Sequence, residues 1–246
     1  RFAYRFDRRP LALPVSLSRR QPETRVASEH GVQVRLRKLL VASRFLFDLR
    51  EAPRGSLAFS LPGDFLVLDV QGDYLVDWSV TEVDGTRLLS VELDEPRTGR
   101  LQVLVEGTQP RDPAAASLAI TVPQPLAVDR QESQRGVWVD DAYTSTVESA
   151  DPWRSLDPAQ LAEAIRLLRE VLPQFAFRST QAIPGEVRLN LARAVPELSA
   201  DAVILAAVSD ASLDYGLNLR WRIDRAAADE FVFATPESLG ARIALQ

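Results

Sequence analysis

The chain contains no cysteine and no methionine, and His30 and Lys38 are its only histidine and only lysine. Without thiols there is no disulfide, no thiolate nucleophile and no cysteine-ligated metal. One histidine cannot form the imidazole cluster of a zinc site, and it limits general-base chemistry near neutral pH. No apolar run is long enough to span a bilayer, and no signal-peptide pattern opens the chain. The first residue is Arg1, inside a strand-like run, so the sequence reads as a segment whose targeting or anchoring signals would lie outside it. There is no GxSxG, no phosphate-binding glycine loop, no HExxH and no dinucleotide fingerprint. Together these absences point away from an enzyme and imply no cofactor.

What is present suffices for a real core. The 246 residues are 46% hydrophobic and 26% charged, which suits one large domain or two modest ones. Net charge is −5, unevenly spread: residues 1–50 hold twelve basic residues against Asp7, Glu23, Glu29 and Asp48, a balance of +8 that leaves −13 for the rest. An acidic remainder of that size argues against nucleic acid as a partner.

Alternation with a period of two dominates. Phe2, Tyr4 and Phe6 open it, and Leu13, Val15 and Leu17 follow. Further on come Val32, Val34 and Leu36, then Phe45, Phe47 and Leu49, then Leu57, Phe59 and Leu61. Each such run buries one face of a strand and wets the other. Shorter runs at 65–70, 75–80, 86–93 and 100–106 are separated by turn signals. Among those signals, Asp84-Gly85 suits a two-residue hairpin, and Pro96 to Gly99 marks a second turn. The expected fold is mainly β: tandem antiparallel β-sandwich-like domains. One amphipathic helix is expected over 158–172, capped by Asp157, started by Pro158 and stopped by Pro173. Leu161, Ile165, Leu168 and Leu172 share its stripe.

The chain also repeats itself. Phe175-Ala176-Phe177-Arg178 echoes Phe2-Ala3-Tyr4-Arg5. Leu13, Val15, Leu17 and Arg19 match Val187, Leu189, Leu191 and Arg193 at an offset of 174. Phe45, Phe47 and Leu49 match Leu219, Trp221 and Ile223 at that same offset, as Leu57, Phe59 and Pro62 match Phe231, Phe233 and Pro236. Chance alternation does not keep one offset over four strands, and the period is too long for a solenoid unit. The implied domains are a β-sandwich repeat unit over 1–150, a helical connector over 151–174, and the first sheet of a second, truncated unit over 175–246. Residues 175–224 hold five Arg and six acids, so the scaffold does not require the basic excess of the first copy.

Candidate site residues are few. His30 precedes Gly31 at an expected strand start and reads as a solvated loop histidine. Asp140 and Asp141, with Glu148 and Asp151, offer oxygen ligands for calcium, but without the spacing of a twelve-residue calcium loop. Asp64, Asp69, Asp73 and Asp77 read as turn and strand-end residues. Two carboxylates held ~5–10 Å apart would suit glycoside hydrolysis, a condition that a chain rich in acids meets by accident. Trp78 and Trp221 fall on core positions, and Trp153 should plug the packing near the helix. Trp138 alternates out of phase with Val137 and Val139, so it is the one tryptophan that offers a platform for a sugar, although a core position is the favoured reading even there. Trp138, Asp140 and Asp141 are therefore the ligand-binding candidates, and no metal site is expected.

Phe2-Ala-Tyr-Arg with the run Leu11 to Arg19, and Leu61-Pro62-Gly63-Asp64 followed by Val70, Trp78 and Leu88 to Val91, resembles segments of large bacterial envelope proteins built from repeated β-sandwich modules. The resemblance covers about the first half of the chain. It implies an extracytoplasmic setting, with neighbouring repeat units, envelope proteins or glycans as partners, and it carries no catalytic residues. The expected function is a non-catalytic structural or binding module. The alternative is a carbohydrate-active β-sandwich enzyme or its carbohydrate-binding accessory domain.

Overall fold

The structure is a computed structural model that describes residues 22–224 apart from 167, 182, 183 and 196. Phe2 to Arg19 and Phe231 to Pro236, used above to align the repeat, lie outside the described residues. The first strands are β1 (Glu23–Val34), β2 (Lys38–Leu61), β3 (Leu66–Gly72), β4 (Leu75–Val83) and β5 (Thr86–Pro110). Then come β6 (Ser117–Ile120), β7 (Gln124–Pro125), β8 (Arg130–Val139), β9 (Tyr143–Ser149) and β10 (Arg154–Ser155). After α1 (Glu163–Arg166), the one α-helix among the described residues, follow β11 (Phe175–Ser179), β12 (Val187–Arg193), β13 (Glu197–Val208) and β14 (Leu213–Asp224). The chain is mainly β, as its alternation predicts.

Nine strands form one sheet with the path β10-β11-β8-β1-β2-β5-β3, to which β4 adds on β5 and β7 on β2. β6, β12 and β9 form a second sheet. The inward faces of the two sheets share one core, with Phe45 and Phe59 (ring centroids 4.8 Å apart) among its centres and Ile120, Val187 and Leu189 supplied by the smaller sheet. All neighbouring pairs of the large sheet are antiparallel except β1 and β8, which run parallel. No helix of the described residues is long and apolar enough to cross a membrane.

Local chemistry explains most connections. Asp84 and Gly85 both take positive φ (50° and 74°), as a tight β4–β5 turn requires. Pro96 to Gly99 does not make the second turn expected there. β5 runs on through it as one bent strand, with Gly99 at φ 96° and Arg97 opposite Arg54. β2 carries register shifts between Leu49, Arg54 and Ser56 at the same level, so the two long strands bend together.

The helix expected over 158–172 is mostly not helical. Asp157 does cap, accepting from Ala159 N (2.9 Å), but a single 3-10 turn, Pro158–Gln160, ends at an extended Leu161. One turn of α-helix follows, and no more. The reason lies beneath the segment, where side chains of the sheet capture its backbone groups. Gln134 accepts from Ala162 N (2.8 Å), the amide that would otherwise bond Pro158 O, and Trp138 Nε1 ties down the far end of the segment by donating to Val171 O (2.8 Å). Leu161 and Ile165 are buried, while Leu168 and Leu172 are 42% and 52% exposed. The segment lies on a row of small residues, Ala42, Gly31, Gly136 and Ala176, that are register partners across the outer face. A Cβ on Gly136 would stand 2.8 Å from Ile165 Cγ2, and one on Gly31 would overlap Leu168 Cδ1.

The boundaries drawn at 150/151 and 174/175 do not divide the sheets. β11 pairs with β8, and β12 pairs with β6 and β9, so strands beyond 174 complete the same two sheets. β13 and β14 form a separate ribbon that pairs with no other described strand. Its geometry repeats that of β1 and β2. Shifting Glu23–Val34 by 174 gives Glu197–Val208. The pairs Glu23↔Arg50 and Val34↔Leu39 become Glu197↔Asp224 and Val208↔Leu213, both observed.

Candidate functional site

The three site residues expected from sequence do meet. Trp138, Asp140 and Asp141 line one cleft of ≈ 170 Å³ at the end of β8, together with Arg35 and Arg169. Three of its charged side chains are engaged: Asp140 Oδ2 accepts from Arg35 Nη1 (3.4 Å), Asp140 Oδ1 accepts from Ala142 N (3.1 Å), and Arg169 Nη1 donates to Gln33 Oε1 (2.9 Å). Trp138 is not an open platform. It is 3% exposed, packed with Leu161, Ile165 and Ala176, and its indole N–H is taken by Val171 O. The alternation placed it on the outer face correctly, but that face is covered. Glu148 lies near the other end of β9 and accepts from Ser117 Oγ (2.6 Å), so it does not join Asp140 and Asp141. Among the described residues no group of three His, Asp or Glu side chains is placed to hold a metal ion.

His30 is the larger correction. It is not in a loop but in the middle of β1, 0% exposed. Its ring Nδ1 pairs with Ser43 Oγ (2.9 Å), Phe45 meets it edge-on at 5.6 Å, and Nε2 has no partner. Burial first, and the Arg135 charge second, hold its pKa well below the usual imidazole value. Its phase gives the position away: Val26, Ser28, His30, Val32 and Val34 are one alternating series, all buried.

Arg135, in phase with Val137 and Val139 on β8, is register partner to His30 on one side and to Phe177 on the other. It too is 0% exposed. Its Nη1 donates to Ile120 O (3.0 Å), and its guanidinium lies 4.3 Å from the centre of the Trp153 ring. Trp153 in turn donates its indole N–H to Gly185 O (2.6 Å), so it packs beneath Arg135 between the sheets rather than beside the helix. Arg135 Nε and Nη2 are buried without partners. Burial lowers its pKa to about 9. The polar row continues through Ser28, Ser133, Ser179 and Gln131, whose Nε2 donates to Ser28 Oγ (3.2 Å) and Ser133 Oγ (3.0 Å). A cleft of ≈ 310 Å³ at the end of β2 reaches this band, walled by Arg135, by Thr121 and Gln124 after β6, and by Gly185 before β12.

This arrangement is suited to binding. A fixed guanidinium on an aromatic face, with two free N–H groups, recognises a planar anion. Its one hydroxyl–imidazole pair, Ser43 and His30, is fully buried and does not line the cleft, and Glu186 is the one carboxylate among the described residues that does.

No protein-family model and no curated protein matches the chain. Among solved structures it is similar to a two-domain M1 zinc metallopeptidase mutant bound to L-tryptophan, at 12% identity and a TM-score of 0.41. It is also similar to an M1 zinc metallopeptidase mutant from Deinococcus radiodurans bound to a Tyr-Ser-Ala substrate, at 13% identity and a TM-score of 0.39. Each match covers 92% of this chain but 53% of the other, so the chain spans about half the length of those structures. A likeness of this size assigns neither family nor activity.

Proposed function

We propose that the chain is a non-catalytic structural or binding module of a larger repetitive protein of the cell envelope or extracellular space. The observation that supports this reading is the ribbon: β13 and β14 carry the bounds and the register of β1 and β2 at one offset of 174. Positions inward in the first hairpin are apolar throughout in the second. Val26, Ser28, His30, Val32 and Val34 correspond to Ala200, Ala202, Ile204, Ala206 and Val208. Ser43, Phe45, Phe47 and Leu49 correspond to Leu217, Leu219, Trp221 and Ile223. A face so uniformly apolar is patterned for a core. In the first hairpin β8 pairs with β1 and β5 pairs with β2, whereas no described strand pairs with the ribbon's outer edges. Neighbouring units of the same kind are the partners that would fill those edges.

A chimera tests this reading. Residues 197–224 replace 23–50, so that the second hairpin takes the place of the first. Cooperative unfolding with native β-sheet circular dichroism is expected. A chain that binds hydrophobic dyes and melts without a transition would count against equivalence of the two hairpins. A companion screen of the full chain against glycan and ester substrates is expected to show no turnover.

A further inference from the structure

We propose that Arg135 anchors a binding site for a small organic acid, whose carboxylate enters by the cleft at the end of β2 and is gripped by Nε and Nη2. The free edge of the guanidinium carries the argument. Arg25 grips Glu23, Arg50 grips Asp48 and Arg97 grips Asp94, each through Nε and Nη2. In Arg135 that same pair of donors is buried and unpartnered. Two parallel N–H groups match the two oxygens of a carboxylate, as Arg97 does with Asp94 Oδ1 and Oδ2, while Arg25 and Arg50 close both donors on one oxygen.

The rest of the guanidinium is already fixed. Nη1 is bound to Ile120 O, and one face lies over Trp153, whose own N–H is held by Gly185 O. Such a group loses little freedom on binding, so its donors are pre-organised. An isolated buried cation is costly, and folds that carry one satisfy it with a counter-charge. None of the described carboxylates does so here: Glu186, which lines the same cleft, is engaged by Arg188. The cleft, at ≈ 310 Å³, lies at the small end of ligand sites.

The scaffold does not demand this polarity. That point rests on the equivalence of the two hairpins: His30 and Ser43, beside Arg135, become Ile204 and Leu217 in the repeat. A polar band present in one hairpin and replaced by aliphatic residues in the other is a feature of this unit and not of the fold.

The test uses the full chain labelled with nitrogen-15 at arginine. The Nε–H signal of Arg135, identified by its loss in Arg135→Met and independently in the charge-keeping Arg135→Lys, is followed while sodium acetate and then sodium benzoate are added. Sodium chloride at equal ionic strength, acetamide and inorganic phosphate are the controls. A saturable shift of that one signal with the carboxylates, and a rise in Tm that Arg135→Met removes, are expected. In Thr121→Trp, which fills the mouth of the cleft, the Arg135 signal should persist and no longer respond. That variant decides the matter if Arg135→Met does not fold. The proposal is overturned if the carboxylates produce no saturable shift, if chloride or acetamide produces the same one, or if phosphate saturates at lower concentration. None of these outcomes depends on the hairpin chimera, so the site and the repeat stand or fall separately.

Discussion

His30 and Arg135 are register partners on the parallel strands β1 and β8, both fully buried, and neither has a carboxylate partner among the described residues. Two basic side chains placed side by side in a core set the pH response of the fold. The imidazole is held neutral there by burial and by the neighbouring guanidinium. Unfolded, it takes up its proton near pH ~6.5; folded, it does so only at lower pH.

Acid should therefore destabilise the protein earlier than its carboxylates alone would. Between the folded and unfolded pKa of His30 the unfolded chain binds more protons. Stability then falls as pH drops below about 6.5, by up to about 1.4 kcal/mol per pH unit, and levels off below the folded pKa. Asp48 and Asp94, held low chiefly by their hydrogen bonds to Arg50 and Arg97, act in a separate window. What they contribute is lost only as pH falls below about 4. Urea unfolding of the wild type and of His30→Gln between pH 7 and pH 4 checks this. The variant should lose most of the slope between pH 6.5 and 5.

Replacing Arg135 by methionine should leave stability at neutral pH unchanged or raise it by a few kcal/mol. The substitution removes a buried charge that has one hydrogen bond and a ring face but no counter-ion. Volume and apolar contact with Trp153 are largely kept. Chemical denaturation at pH 7 measures it. A loss of more than about 2 kcal/mol would show that the Ile120 hydrogen bond and the cation–π contact outweigh the desolvation of the charge.

The outer face separates two leucine-sized contacts that the sequence pattern treats alike. Ile165 is 1% exposed against Gly136, whereas Leu168 is 42% exposed over Gly31. Ile165→Ala should cost about 2–5 kcal/mol, and Leu168→Ala about 1 kcal/mol. Equal losses in thermal or urea unfolding would mean that the segment packs as the continuous amphipathic helix its spacing suggests.

Those contrasts mark how far the sequence could be read. The period of two identified the strands because each buries one face, and the Asp84-Gly85 turn followed from its need for positive φ. The same alternation, carried back from Val32 and Val34, reaches His30, and carried back from Val137 it reaches Arg135. Polar residue type obscured both, because histidine and arginine are seldom fully buried. The pairing of β1 with β8 brings together residues about a hundred positions apart, and no local pattern encodes it. The short helix failed for a related reason. Its capping and stripe are genuine local signals, but Gln134 from a distant strand takes the Ala162 amide that the helix would have used.

The ribbon β13–β14 supplies the last prediction. Val203, Ile204, Leu205 and Val208 are 56–80% exposed on one strand, and Leu213, Tyr215 and Leu217 are about half exposed on the other. The run Ala202 to Val208 contains no charge and no proline. An open edge of that composition is a template for further strands, since nothing on it opposes pairing. Lysine at an edge position blocks such pairing without touching the main core, because the ribbon pairs with neither of the other sheets. Leu205→Lys should thus leave the main unfolding transition within about 0.5 kcal/mol of wild type. The same variant should reduce concentration-dependent self-association, read by light scattering behind size-exclusion chromatography. If association is unchanged while Leu205→Lys remains folded, the ribbon edge is not the surface through which strands are added.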